Sequence, residues 1–203
     1  MEEKFKVTFI HELGHYFCAK YFKRIIEYIS IFPNEKNNNY ISGRIKYKDY
    51  KDPVDECERI IEIVISSYGC IFEYIFTGNK FLVKCFSSNG EDDNASLREN
   101  ICWDVNPYQK EEIQKKLHNI LETYLNELEN NNLKLIIDEI ITKLDYLKQS
   151  NSEGDFFPAN LILDIKNLKE LDEILDINKI KSELSDSYKN LYTKVEELRN
   201  QYI

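Results

Sequence analysis

Histidine is scarce in this chain, with three residues in 203. Positive charge is also in deficit: 27 Lys and Arg stand against 36 Asp and Glu, for a formal net charge of -9. A nucleic-acid partner requires a basic patch, so this balance argues against one. It equally disfavours an anionic membrane surface. No uninterrupted apolar run approaches the roughly 20 residues of a membrane-spanning helix. No Cys-x-x-Cys pair occurs among Cys18, Cys57, Cys70, Cys85 and Cys102. An odd, scattered set points to reduced thiols in a cytoplasmic protein. Met1 to Lys6 is charged and leads straight into a helical pattern, which predicts no signal peptide. The Gly-x-x-x-x-Gly-Lys-Ser/Thr signature of a phosphate-binding loop is missing as well. A core, by contrast, is well provided for: 42% of the residues are hydrophobic, including 14 Tyr and 11 Phe.

Two of the three histidines stand in one motif, His11-Glu12-Leu13-Gly14-His15. Residues four apart share a helix face, so both imidazoles can reach one metal ion. Zinc takes neutral imidazole nitrogen, and a catalytic zinc keeps a position open for water. Glu12 lies beside the pair, where a carboxylate can accept a proton from that water. The surroundings read as a helix: Lys4 to Ile26 lacks proline, and Phe5, Phe9, Leu13, Phe17 and Tyr21 recur at helical spacing, predicting one buried face. Gly14 interrupts it at a cost of about 1 kcal/mol relative to alanine, which points to the close approach of another backbone segment.

Tyr28 to Phe32 reads as a strand stopped by Pro33 and an Asn-rich turn, Asn34 to Asn39. Tyr40 to Lys48 reads as its antiparallel partner, with Gly43 at a bulge position. Asp52-Pro53 opens an apolar helix, with Gly69 as a break or close approach and Cys70 to Phe76 as its continuation. Gly78 to Asp92 reads as a polar loop around the apolar segment Phe81 to Phe86, and Asp93 to Trp103 as a helix with an acidic first turn. Asn106-Pro107 then caps a helix running to Glu129, followed by another from Leu133 to Gln149. Ser150 to Pro158 reads as a linker. Beyond it, Leu161, Ile165, Leu168, Leu171, Ile174 and Leu175 stand at near-heptad spacing, the pattern of a packing or association element. The fold class expected is α+β, predominantly α-helical, with the motif helix beside a small antiparallel sheet and a helical bundle after it. The expected division is 1–150 as the main domain and 151–203 as a helical extension.

Two histidines hold a catalytic zinc poorly, so a third ligand is needed. The metzincin pattern would place Gly and His at positions 18 and 21, where this chain has Cys18 and Tyr21. His118 lies among Glu and Lys and reads as a surface residue. A carboxylate brought in by folding is the remaining choice.

From His11 to Gln149 the chain resembles the peptidase domain of the FtsH-type, AAA-linked, ATP-dependent zinc proteases. The motif helix comes first. Ile29-Ser-Ile-Phe-Pro33 resembles that family's strand ending in proline, and Gly43-Arg-Ile-Lys-Tyr47 its next strand. Gly69-Cys-Ile-Phe-Glu73-Tyr-Ile75-Phe-Thr-Gly78 resembles its Gly-x-x-x-Glu-x-Ile-x-x-Gly segment. The family then has a Gly-rich turn and an aspartate ligand at a helix start, here within Ser88 to Ala95. With Asp93 as ligand, Leu97 and Ile101 cover the inner face of that helix; with Asp92, Ser96 and Asn100 do. Glu73 is either a group behind the ligands or an alternative ligand.

The resemblance implies a zinc metalloendopeptidase that cuts unfolded or flexible polypeptides, with His11, His15 and Asp93 on Zn2+ and Glu12 as general base. It also implies a homo-oligomeric ring. The ATPase domain and membrane helices of that family have no counterpart here, so any unfolding power would come from a separate AAA ATPase. A reading from another class is a catalytically silent interaction protein that keeps the fold and a structural zinc.

Overall fold

The computed structural model describes residues 2–33, 41–48, 51–78, 90–129, 133–150, 161–163 and 165–203. It is α+β and predominantly helical, as the hydrophobic periodicity predicts. The Asn-rich turn, the apolar stretch 81–86 with Cys85, and the linker residues 151–158 lie outside the described residues.

Helix α1 (Glu2–Tyr21) is the centre of the molecule. Every residue from Thr8 to Ala19 is buried, not only the one face that the Phe–Leu–Phe spacing predicts. The reason is that partners cover it on several sides. Strands β1 (Ile26–Pro33) and β2 (Ile41–Tyr47) pack on one of them. Helix α2 (Glu56–Thr77) packs on another. Gly14 faces α2, where a Cβ would stand 2.2 Å from the carbonyl oxygen of Tyr68. The glycine therefore lets two helix backbones meet.

Helix α2 begins later than Asp52-Pro53 suggests. Asp55 is its cap: the Asp55 carboxylate accepts from the backbone N–H of Glu58 at 2.9 Å. Gly78 closes it in the left-handed conformation, φ 63°. Gly69 does not break the helix. By length and composition α2 could cross a membrane, but 72% of its most apolar window is buried inside the protein, as a core helix requires.

β1 and β2 are antiparallel, with Ile29 opposite Ile45 and Ile31 opposite Gly43. The register irregularity falls between Ile26 and Tyr28, so Gly43 is not a bulge. A third strand, β3 (Leu161–Leu163), joins the other side of β1, which gives the order β2-β1-β3. The heptad-like spacing concealed it, because Leu161 falls in phase with the helix that follows.

Helix α3 (Glu91–Ile101) starts at Gly90, earlier than the Asp93 expected, so Asp93 lies inside its first turn. Asn106 accepts from the N–H of Tyr108, and a 3-10 turn, Pro107–Gln109, leads into α4 (Lys110–Glu129). Helices α5 (Leu133–Ser150), α6 (Ile165–Leu175) and α7 (Ile177–Arg199) complete the chain. The extension is helical after Ile165, and its apolar positions turn inward: Leu168, Leu171, Leu175, Leu184, Leu191 and Val195 join the same core as α1 and α2. Tyr188 of α7 stacks edge-on against Tyr68 of α2 at 4.5 Å. Arg199, fully buried, binds Glu56 through Nε and Nη2 and the carbonyls of Ile101 and Trp103 through Nη1 at 2.7 Å.

Candidate metal centre

His11 and His15 project from α1 toward α2. Opposite them α2 offers residues at the same four-residue spacing: Glu73 faces His11, and Gly69 faces His15. A Cβ at Gly69 would stand 2.2 Å from Nε2 of His15, so only glycine leaves the ring its place. The Nδ1 atoms are held from behind. His11 Nδ1 lies 3.0 Å from Oε2 of Glu73, and His15 Nδ1 lies 2.8 Å from the carbonyl oxygen of Ile65. A carboxylate and a carbonyl can only accept there, so each Nδ1 carries the proton and donates.

In the neutral rings this leaves both Nε2 atoms with a lone pair. The two are 3.1 Å apart, and Oδ2 of Asp93 lies 2.9 Å from one and 3.2 Å from the other. Three acceptors at that range repel one another unless a cation stands among them. Without a metal the cation is a proton. Burial pulls the His11 pKa down, but hydrogen bonds to Asp93 and Glu73 outweigh it and raise the pKa to about 10. His15 is raised in the same way, against its burial, by Asp93. Asp93 falls well below the usual carboxylate range, since the two histidines overcome its burial. A metal fits the same place. Tetrahedral zinc with bonds of about 2.0–2.1 Å spaces its ligand atoms about 3.3–3.4 Å apart, and the triangle found here is only slightly tighter. Two imidazoles backed by a carboxylate and a carbonyl, plus one carboxylate, form a donor set suited to zinc.

No family model matches this chain, and no curated protein or solved structure matches it either. The chemistry of the centre rests on its own atoms.

Glu12 lies against β2. A Cβ on Gly43 would stand 2.3 Å from its Oε1, so the bare strand backbone roofs the carboxylate. Burial pushes the Glu12 pKa up, partly offset by His15 and His11. Among the described residues Glu12 has no hydrogen-bond partner. It opens instead into a cleft of about 470 Å³ whose lining includes His11, His15, Gly43, Glu62, Ser66 and Asp93.

Of the residues predicted from sequence, His11, Glu12, His15 and Asp93 are brought together. Asp92 is exposed at the rim of the cleft. The choice between the two aspartates follows the helix face: Leu97 and Ile101 are buried, at 2% and 0% exposure, which turns Asp93 inward. Glu73 meets the centre at Nδ1 of His11. His118 is half-buried on α4 and does not line the cleft. Sequence reasoning missed Cys70, which is fully buried and lies with His11 and Asp93 in a group whose ligand atoms are all within 4.8 Å, a set that could hold a metal ion. His15 fits such an ion more closely than Cys70 does, because its distances of 3.1 and 3.2 Å approach a tetrahedral edge. The signal for Cys70 was its place one turn before Glu73, which puts both on the helix face that meets His11.

Proposed function

We propose that the protein is a zinc-dependent endopeptidase that hydrolyses peptide bonds in unfolded or flexible polypeptides. One observation carries this reading: three converging lone-pair atoms stand beside a buried carboxylate, Glu12, that has no hydrogen-bond partner among the described residues and faces an open cleft. A zinc ion bound there supplies Lewis-acid polarisation and acidifies water. Glu12 takes the proton from the attacking water, a role suited to a carboxylate made more basic by burial, and returns it to the leaving amine. Glu73 and the Ile65 carbonyl hold the imidazoles in the ligating tautomer. Among the described residues β2 is an edge strand of the sheet, and it borders the cleft, so an extended substrate can pair with it. The resemblance to FtsH-type peptidase domains supports the same reading and brings with it a ring assembly and a separate AAA ATPase as partners. For the ring, the tail offers less than its spacing promised, since its apolar stripe packs inside the chain.

Cleavage of an unfolded protein such as casein, by wild type and Glu12→Gln purified side by side, tests the proposal. The amide is nearly isosteric but cannot accept the proton. Hydrolysis should fall by about 10² to 10⁴-fold with zinc content unchanged. Equal cleavage by the two proteins would refute the role of Glu12.

The nearness of Cys70 favours one other reading. If its sulfur ligates together with His11, His15 and Asp93, all four positions are filled by protein, and the zinc is structural in a non-catalytic interaction protein. The placement of Glu12 in the cleft beside the centre argues against this, since a structural site needs no base.

A further inference from the structure

The peptidase chemistry leaves one buried charged group of the cleft lining, Glu62, without a role. Glu62 lies on α2 three residues before Ile65, whose carbonyl anchors His15, and thus about one helical turn from the centre. It is 7% exposed, yet it lines the cleft with Tyr47 and Ser66. Its Oε1 accepts from Nη2 of Arg24 at 2.9 Å. Among the described residues its Oε2 has no hydrogen-bond partner. Arg24 also faces Glu58, 3.8 Å from Nη1. Two carboxylates thus share one guanidinium, which is nearer Glu62. Glu58 lines a different hollow, with Lys48 and Lys51, so of the two carboxylates Glu62 is the one that faces the cleft. A buried carboxylate with an unused oxygen is costly until a cation reaches it. Among the described residues no lysine or arginine of the cleft lining is hydrogen-bonded to Glu62. Arg44 and Lys46 are exposed on the outward face of β2, alternating with the inward Gly43, Ile45 and Tyr47, and Lys46 is paired with Glu27 at 3.1 Å.

We propose that Glu62 forms the end of a subsite for a lysine or arginine side chain of the substrate, close to the bond that is cut. The inference rests on the peptidase reading for its substrate class. The aliphatic stem of such a side chain would lie along Ile45 and Ile65, and its charged head would reach Oε2 of Glu62.

Binding can be measured without turnover, using the full chain carrying Glu12→Gln and loaded with zinc. The probes are two fluorescein-labelled peptides that differ only in a central lysine or norleucine, read by fluorescence anisotropy. The lysine peptide should bind about tenfold more tightly, as expected for one charge-assisted hydrogen bond. Adding Glu62→Gln should erase that preference while leaving norleucine binding unchanged, which also shows that the variant is folded. Adding Glu58→Gln should leave the preference intact. Equal affinity for the two peptides, a preference that survives Glu62→Gln, or no binding of either would overturn the subsite. Cleavage of the same peptides by protein with Glu12 restored is read separately. Lysine-selective binding without cleavage would keep the subsite and sink the peptidase reading.

Discussion

Glu73 and the carbonyl of Ile65 prepare the two histidines to ligate a metal ion, although neither faces the place it would occupy. Each fixes a proton on Nδ1 and so frees an Nε2 lone pair. The histidines themselves were legible in the sequence, because their spacing alone puts them on one helix face. Asp93 was legible only through a periodicity, Leu97 and Ile101, that turned out to be the buried face of α3. The Ile65 carbonyl had no signal at all, since backbone atoms leave none in a sequence. The same proton arrangement gives a pH signature. In metal-free protein the His11 pKa rises from 6.5 to about 10. A raised histidine stabilises the fold fully below pH 6.5, and that contribution is lost as pH climbs toward 10. Asp93, with its depressed pKa, works on the acid side: its contribution is present above its usual value of 3.8 and lost as pH falls below it. Zinc bound at the centre would take the place of the shared proton, so its affinity would rise with pH. Thermal melts from pH 6.5 to 10 should therefore show a falling midpoint for metal-free protein and little change with zinc bound. A metal-free midpoint that rose over this range would show that the histidines are not held as described.

At the level of elements, the centre depends on glycines that let α1, α2 and β2 close in on one another. Gly14 admits the α2 backbone, Gly69 the His15 ring and Gly43 the Glu12 carboxylate. From sequence each of them could be marked as a place of close approach or bulging, but the neighbour could not be named, because it comes from another element. Boundaries were harder still. Asp52 and Asp55 carry the same capping chemistry, and only the hydrogen bond to the Glu58 amide chooses between them. β3 was invisible because three residues of strand in a leucine-rich stretch share the spacing of the helix beyond. Gly69→Ala separates site from fold. The added methyl group meets the tip of a side chain, His15 Nε2, and α2 gains a better helix former. Zinc binding should weaken by about 10-fold or more through displacement of one ligand, while the melting temperature of the metal-free protein changes little. Competition with a chelator measures the first and calorimetry the second. Undiminished zinc affinity would mean that His15 is not a ligand.

Across the whole molecule, the C-terminal helices complete the core on which the centre is built. Arg199 is the strongest tie: a buried guanidinium that joins the end of α7 to the start of α2 and to the chain leaving α3. Arg199→Leu removes those bonds and leaves two carbonyls and Glu56 unmatched, which should cost about 2–4 kcal/mol. Urea unfolding should show it as a lower midpoint, and an unchanged midpoint would mean that α7 is dispensable. The sequence displayed this helix as an amphipathic run but not its partner, because amphipathicity says only that a face must be covered. It covers α1, α2 and α4 of its own chain. The centre itself is tested most directly by X-ray absorption at the zinc edge of the intact protein. The account predicts about one zinc per chain, held by two imidazoles and a carboxylate at about 2.0–2.1 Å, with no sulfur in the first shell. A sulfur scatterer at about 2.3 Å would make Cys70 a ligand and the zinc structural. No bound zinc, in protein purified without chelators, would contradict the metal centre altogether.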